Sequence, residues 1–399
     1  MNPAPHPSRP ARWWTVPLAL AVGAAIWLPA VHRCFVRPDT YFQQPGGVPP
    51  HARELAERQL ELWTVPALKQ RELGRMRARN AEWDFMGRSF FVWSLSELCL
   101  REPAAAARYL TVADEIIDET LKLEAEQGQT VFLLPYGQPK LYLQQPARSL
   151  FVDGEIALML ATRCIAADRA DYRELLRERV DALMARWTAN PSMLLESYPN
   201  ECWLFDHAIA LAAVRLSDHL NGTDHSAFFR AWIAKAKTDY LDPATGLLVS
   251  SYGLHGEHFD GPEGSTIWAS LHFLRLIDAD FARGQYALAR EQIASGLGGF
   301  AWSREWPASW RGEHDVDSGM VVPGLEVSAG GSGLAFTGAS SFGDDDYLRR
   351  LHRTLAYAAF PLREDGKLRY CASNLVGDAT LLYAGVLGPI WNQVEGVSP

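Results

Sequence analysis

Carboxylates recur where the apolar helical segments of this sequence begin. Five such segments open on polar, mostly acidic clusters: Glu82-Trp83-Asp84, Asp153-Gly154-Glu155, Asn200-Glu201 followed by Asp206-His207, Glu263-Gly264-Ser265, and Asn374 with Asp378. Two carboxyl groups, one protonated and one ionised, can act as general acid and general base. The clusters indicate an acid–base site if these helix ends meet at one mouth. The alternative interpretation is that they are N-caps and first-turn carboxylates that stabilise helices.

Asp206 and His207 fit the capping interpretation least well. They lie a turn inside a helical segment whose neighbouring residues are tryptophan, leucine, phenylalanine and isoleucine. A buried charge without a partner is costly, so we expect this pair to face a wet cavity or to bond a neighbouring group. We predict acid–base roles for Asp206 and His207 together with Asp84 and Glu155.

The elements that must position these residues are helices. Periodicity of 3.6 residues predicts twelve segments after residue 50: 52–73, 83–100, 104–127, 149–167, 171–188, 201–220, 225–238, 264–277, 279–295, 325–340, 344–358 and 374–388. From 83–100 onward, segments that are apolar nearly all round alternate with charged, amphipathic ones, which is typical of an inner and an outer ring. Six pairs predict an all-α fold, an (α/α)6 toroid over residues 41–399. The best strand signal, 247–252, predicts a short hairpin arm.

A long segment before the tenth predicted helix, 325–340, is rich in tryptophan and acidic residues. A loop of this length inside a compact domain is usually functional. Indole faces bind sugars and also stabilise carbocation-like states. We therefore predict substrate binding by residues of this loop and of the mouth: Trp83, Asp153, Tyr198, Trp203, Glu263, Trp302, Trp306, Asp315 and Asp317. The alternative is a hydrophobic loop fixed to the toroid by its tryptophans.

Composition and motifs exclude several classes of protein. The chain has 399 residues, 48% of them hydrophobic and 21% charged, with a net charge of −9, which excludes a disordered chain. Without a clustered Lys/Arg stripe it lacks the footprint of a nucleic-acid-binding protein. Walker, G-x-S-x-G and G-x-G-x-x-G motifs are absent from the sequence. His255 and His258 resemble a metal pair but lie in a predicted turn, and the five cysteines form no C-x-x-C pair, so we predict neither a metal nor another cofactor.

The N-terminus carries an apolar run. Nineteen residues, 13–31, contain no charge and are just long enough to cross a ~30 Å hydrocarbon layer. We predict that residues 1–40 are a membrane anchor, with an uncleaved or cleaved signal segment as the alternative. Both interpretations favour a toroid domain outside the cytoplasm, and the anchor interpretation predicts a single-pass membrane protein. Orientation by positive charge is nearly a tie, and the oligomeric state is left open.

Between about residues 80 and 385 the chain resembles the linalool dehydratase/isomerase family. The resemblance is carried by the following stretches: Tyr198-Pro199-Asn200-Glu201-Cys202-Trp203, Asp206-His207-Ala208, Asp218-His219-Leu220-Asn221-Gly222-Thr223-Asp224, Arg230-Ala231-Trp232, Asp242-Pro243-Ala244-Thr245-Gly246 and Ser250-Ser251-Tyr252. The resemblance implies an (α/α)6 fold and cofactor-independent interconversion of small terpenoid alcohols and alkenes. It also implies site roles for Asp84 and for Tyr252, which would orient a hydroxyl group.

The family's active-site pattern is only partly present. Phe90 stands at the position of a family tyrosine, and Glu155 at that of a histidine. The two active-site cysteines of the family fall near Ser197 and on Asp206. Carboxylate and imidazole groups thus replace the thiols, which implies a divergent member with different chemistry or a different substrate.

Three functions remain open at the level of sequence. The leading hypothesis is a cofactor-independent lyase or isomerase for a small hydroxylated, terpenoid-like substrate. The first alternative is a carbohydrate-active (α/α)6 enzyme, because glycoside hydrolysis needs the same pair of carboxyl groups. The second alternative is a non-catalytic, membrane-anchored binding protein.

Overall fold

The computed structural model describes residues 13–44, 46–314 and 318–396. The chain forms two compact units, Met1–Arg37 and Pro38–Pro399. The described part of the first unit is one helix, α1 (Thr15–Cys34), in which no described side chain is buried. It is the one described helix that is long and apolar enough to cross a membrane, and a signal sequence would meet the same criterion.

The second unit is built on a closed ring of six inner helices. These are α5 (Ala81–Arg101), α7 (Leu150–Ala166), α9 (Leu204–Asn221), α11 (Gly264–Leu274), α13 (Ala329–Phe342) and α15 (Leu375–Val386). Each packs against the next along the chain, and α15 packs against α5 to close the ring. The six are the segments predicted to be apolar all round.

The outer helices lie against this ring. They are α2 (Pro50–Thr64), α6 (Ala106–Gln127), α8 (Ala170–Ala189), α10 (Ser226–Asp239), α12 (Ala279–Gln292) and α14 (Asp345–Ala358). The contrast in sequence follows from burial, since 15 of the 17 residues of α7 are buried but only 6 of the 20 residues of α8. The prediction of a helical double ring is confirmed.

The prediction of one continuous helix over residues 52–73 is wrong. The chain instead forms α2, α3 (Pro66–Leu68), a π-helical turn (Lys69–Leu73) and α4 (Gly74–Arg79). Pro66 causes the break, because it forces the preceding Val65 into an extended conformation, with φ −102° and ψ 105°. A last short helix, α16 (Pro389–Glu395), follows α15.

Short strands fill the connections between helices. β1 (Cys202–Trp203) pairs with β2 (Ser251–Tyr252), so only the end of the predicted arm 247–252 is a strand. The other strands form a four-stranded sheet in the order β3-β4-β6-β5 and a hairpin β7-β8: β3 (Ala294–Leu297), β4 (Phe300–Ser303), β5 (Val321–Val322), β6 (Val327–Ser328), β7 (Pro361–Glu364) and β8 (Lys367–Tyr370). These were not predicted, because each is too short to show a period.

The interior of the ring is filled with aromatic side chains below the ends where the inner helices begin. Trp93 lies at the centre, with its ring centroid 4.7 Å from that of Phe90, 5.5 Å from Phe273 and 5.7 Å from Tyr383. Edge-to-face contacts of this kind are favourable and rigid. The acidic helix starts therefore stand above a packed aromatic floor.

Candidate active site

Glu155 is fully buried at the start of α7. Its Oε2 accepts a hydrogen bond from the Ser89 hydroxyl of α5 at 2.5 Å, and its Oε1 has no hydrogen-bond partner among the described residues. Burial raises the pKa of Glu155 well above its ordinary value, and the charges of Asp206 and Glu82 raise it further against the opposing hydrogen bond from Ser89. Burial therefore favours the protonated form of Glu155.

Asp206 occupies the corresponding position on the next inner helix, α9. It is 6% exposed, and its electrostatic neighbours include Ser197 and Glu82. Burial raises the pKa of Asp206 to about 8, Ser197 lowers it, and the charge of Glu82 raises it. The predicted residues Glu155 and Asp206 thus lie close enough for the charge of one to act on the other.

Glu82 is a third carboxyl group at this place, and the sequence prediction did not include it among the site residues. It lies in the first turn of α5, is only half-buried, and accepts a hydrogen bond from the Tyr198 hydroxyl at 2.6 Å. Its charge acts on both Glu155 and Asp206. The sequence feature that points to Glu82 is its spacing to Ser89, the partner of Glu155. Residues seven apart share a helix face, so Glu82 and Ser89 lie on the same side of α5.

Asp84 lies on another face of the same helix. Its Oδ2 accepts a hydrogen bond from Arg88 Nε at 3.0 Å, and the Arg88 guanidinium lies over the ring of Trp63 in α2. Asp84 therefore faces the outer helices in an ion pair. The structure does not bring Asp84 to Glu155 and Asp206. Asp84 lies two residues after Glu82, and residues with that spacing point about 200° apart around a helix.

His207 follows Asp206 directly in α9, so its side chain points about 100° away from that of Asp206 around the helix. Its Nδ1 bonds the Trp203 carbonyl oxygen at 2.7 Å, and its Nε2 accepts the Leu195 N–H at 2.9 Å. The ring packs between Trp187 of α8 and Trp232 of α10. Burial lowers the pKa of His207 to about 4, so a neutral imidazole with both nitrogens occupied holds the loop before α9.

Tyr252 also bonds the backbone rather than the carboxyl groups. Its hydroxyl lies 2.7 Å from the Val249 carbonyl oxygen and 3.0 Å from that of Tyr240. The side chain is buried, and its residue pairs with Cys202 across β1 and β2. Here too the contacts fix the loop that carries the residue.

Asp153 is the centre of a buried ion cluster, which differs from its predicted role in substrate binding. It accepts hydrogen bonds from Arg148, Arg179, Arg186 and Gln129. Burial alone would raise its pKa, but the hydrogen bond from Arg148 and the charges of the three arginines lower it below its ordinary value. All of its acceptor capacity is used within the protein.

The remaining predicted binding residues near the acids have mixed positions. Tyr198 is buried and stacks on Tyr136 with ring centroids 5.1 Å apart. Trp83 and Trp203 are half-buried, and Trp203 belongs to β1. Glu263 is buried directly before α11. All four lie at the end of the ring where the inner helices begin.

The tryptophan-rich loop is fixed to the ring. Trp302 is buried in β4 and donates its Nε1–H to the Leu325 carbonyl oxygen at 3.0 Å, while Trp306 packs against His314. Glu305, which sequence analysis missed, is buried and accepts from the hydroxyls of Ser265, Ser318 and Ser328. Asp315 and Asp317 lie outside the described residues.

No group of three or more His, Cys, Asp or Glu side chains suited to a metal ion occurs within the described ranges. His258, one of the predicted pair, directs Nε2 at the Asp239 carbonyl oxygen at 2.7 Å. The chemistry that the site itself offers is proton transfer by three carboxyl groups.

Comparison with known proteins places the fold in a class. No protein-family model and no curated protein sequence matches the chain. Among solved structures it is similar to a GH76A alpha-1,6-mannanase from Salegentibacter sp. HEL1_6, with a TM-score of 0.53 and 10% identity over 84% of this chain and 98% of that one. A family 76 glycoside hydrolase from a bovine Bacteroides thetaiotaomicron strain gives a TM-score of 0.50 and 10% identity, over 76% and 68%. The likeness shows the fold alone, that of (α/α)6 toroid proteins.

Proposed function

We propose that the protein is a carbohydrate-active enzyme that cleaves a glycosidic bond by acid–base catalysis. The observation that carries this proposal is the pairing of Glu155 and Asp206 on neighbouring, packed inner helices, both within reach of the charge of Glu82. Glycoside cleavage needs a carboxylic acid that protonates the leaving oxygen and a second carboxyl group in ionised form. The shared fold with two glycoside hydrolases supports this choice over the terpenoid hypothesis.

The test measures hydrolysis of α-1,6-linked manno-oligosaccharides and then of a panel of other glycosides by release of reducing ends. We expect Glu155→Gln and Asp206→Asn each to lower kcat/KM, Asp206→Asn by about 10²–10⁴-fold, the usual contribution of a general acid. Glu97→Gln is the matched control, because Glu97 is an equally buried acid at the opposite end of α5. Equal activity of all three variants and the wild type, or no activity on any glycoside, would overturn the proposal.

A second candidate keeps the dehydratase or isomerase chemistry that the family resemblance implies. The aromatic floor favours it, since Phe90 and Trp93 lie next to Ser89 and one turn deeper along α5, and aromatic faces stabilise cations. The same two variants, incubated with small allylic alcohols, test it by gas chromatography of alkene products. Alkene formation that depends on Asp206 would favour this candidate over glycoside cleavage.

We also propose that α1 anchors the protein in a membrane as a single span, with the ring outside the cytoplasm. Its support is a 20-residue length and a mean hydropathy of 1.6 over the apolar window. Alkaline carbonate extraction of the full chain tests it, and the anchored chain is expected in the pellet with its N-terminus intact. A soluble chain that begins after α1 would identify a cleaved signal instead.

A further inference from the structure

The three carboxyl groups at the mouth form one connected arrangement. Ser89 bonds Glu155, Tyr198 bonds Glu82, and Ser197 lowers the pKa of Asp206. Ser197 and Tyr198 are consecutive residues, so Asp206 and Glu82 interact with the same short stretch of the chain. Ser89 and Glu82 lie two turns apart on one face of α5, which links Glu82 to Glu155.

Glu82 differs from the other two in its exposure and in the tyrosine hydroxyl that bonds it. It is half-buried, whereas Glu155 is fully buried and Asp206 nearly so. It is the second residue of α5, where the helix dipole favours a negative charge. The Tyr198 hydroxyl donates to its Oε2 at 2.6 Å, a bond that is stronger to a carboxylate than to a carboxylic acid. These features favour a negative charge on Glu82.

We propose that Glu82 is a further catalytic residue, the general base that takes a proton from the attacking water while Asp206 protonates the leaving oxygen. This inference rests on the proposed function and names its general base. Tyr198 is a positioning residue that acts through Glu82. Glu82 is half-buried, whereas Glu155 and Asp206 are buried.

The step balances in atoms and charge. The water oxygen bonds to the anomeric carbon as one water proton passes to the Glu82 carboxylate. The bond between the anomeric carbon and the glycosidic oxygen breaks, and that oxygen receives the Asp206 proton. Two sugar hydroxyls result from one glycoside and one water, and the proton then returns from Glu82 to Asp206 through solvent. Because water attacks opposite the leaving group, the product anomer is inverted.

The experiment uses two tyrosine–glutamate pairs that the structure places side by side. Tyr136 stacks on Tyr198 and donates to Glu201 at 2.9 Å, as Tyr198 does to Glu82. We expect Glu82→Gln to lower kcat/KM on the glycoside that the wild type cleaves by about 10²–10⁴-fold. The matched variant Glu201→Gln is expected to stay within about threefold of the wild type, since it removes a carboxylate that is paired with Tyr136 and Lys140.

Two readouts separate a base from a structural residue. In Tyr198→Phe the acidic limb of the pH profile of kcat/KM moves to higher pH, because Glu82 loses a hydrogen bond that favours its charged form, whereas Tyr136→Phe leaves the limb in place. In Glu82→Gln, carboxyl-carbon NMR shows the titration of Asp206 at lower pH than in the wild type, independently of turnover.

The outcomes distinguish this inference from the proposed function. Wild-type activity in Glu82→Gln, combined with inactive Glu155→Gln and Asp206→Asn, overturns the role of Glu82 and leaves glycoside cleavage standing. A product with retained anomeric configuration, followed by NMR from the start of the reaction, overturns the general-base role. A wild-type protein that cleaves no glycoside overturns both.

Discussion

The inner helices bury carboxyl groups at both ends of the ring, but the carboxyl oxygens at the two ends differ in how many hydrogen-bond partners they have. At the far end of α5, Glu97 is fully buried, and its two oxygens accept the backbone N–H groups of Gly388 and Ile390, each at 3.1 Å. At the mouth, Glu155 has one hydroxyl partner and a second oxygen without any described partner. Burial raises the pKa of both groups, that of Glu97 to about 7.

This difference shows that a buried acid does not by itself mark a site. Glu97 fixes α16 against α5, and Asp153 fixes α8 and the loop before α7 through its arginines. In both cases every acceptor is used, so nothing is left for a ligand. Glu155 retains an unused oxygen, which is costly in the absence of a ligand and useful in its presence.

The largest expected effect is a loss of unfolding free energy when Asp153, a fully paired acid, is replaced. Asp153→Ala leaves the cations of Arg148, Arg179 and Arg186 without their shared partner in a buried place. Breaking a buried pair from one side costs about 3–5 kcal/mol of unfolding free energy. Urea unfolding measures it, with Glu155→Gln expected within about 1 kcal/mol of the wild type as the control. Equal losses in the two variants would remove the distinction between paired and incomplete acids.

The next effect concerns Glu97. Glu97→Leu keeps the volume but leaves the Gly388 and Ile390 N–H groups without acceptors, at about 1–3 kcal/mol for each buried donor. We expect a lower free energy of unfolding and faster amide exchange in α16 by NMR or mass spectrometry. Glu97→Gln, which keeps one acceptor oxygen, is expected to lose about half as much. A Glu97→Leu protein as stable as the wild type would show that these bonds do not hold α16.

The contrast between the two ends also explains how far sequence analysis reached. Helical periodicity gave the double ring, because burial on all sides leaves a readable pattern in helices such as α7 and α9. It also selected Glu155 and Asp206, which begin two of those helices. It did not separate Asp84 from Glu82, or Asp206 from His207, because the direction of a side chain around a helix depends on where neighbouring helices pack. The partners of Asp153 come from residues 129, 148, 179 and 186, and no local pattern predicts such a meeting.

The pH dependence of stability sharpens the comparison further. Asp206 binds its proton up to about pH 8 in the folded protein but only up to about pH 4 when unfolded. Its contribution to stability is therefore complete below pH 4 and is lost as the pH rises toward 8, at about 1.4 kcal/mol per pH unit inside the window.

Relative to the wild type, Asp206→Asn should gain stability from pH 5 to pH 8. For Glu97→Gln the corresponding gain should end near pH 7. Denaturant unfolding between pH 4 and pH 8.5 measures both, and parallel curves for Asp206→Asn and the wild type would contradict the assignment.

The smallest expected effect tests whether a single hydroxyl is enough to hold an acid at the mouth. The Ser89 hydroxyl lies 2.5 Å from Glu155 Oε2 and 3.2 Å from the Phe85 carbonyl oxygen, so one donor serves the carboxyl group. Ser89→Ala should cost about 1 kcal/mol of unfolding free energy, the net value of one hydrogen bond. It should also raise the pKa of Glu155 further, because the bond from Ser89 lowers it. Carboxyl-carbon NMR follows that titration, with Ser94→Ala on the same helix as the control, since Ser94 bonds only the Phe90 carbonyl oxygen. An unchanged titration in Ser89→Ala would mean that Glu155 is held by packing alone, which would place it with Glu97 among the structural acids.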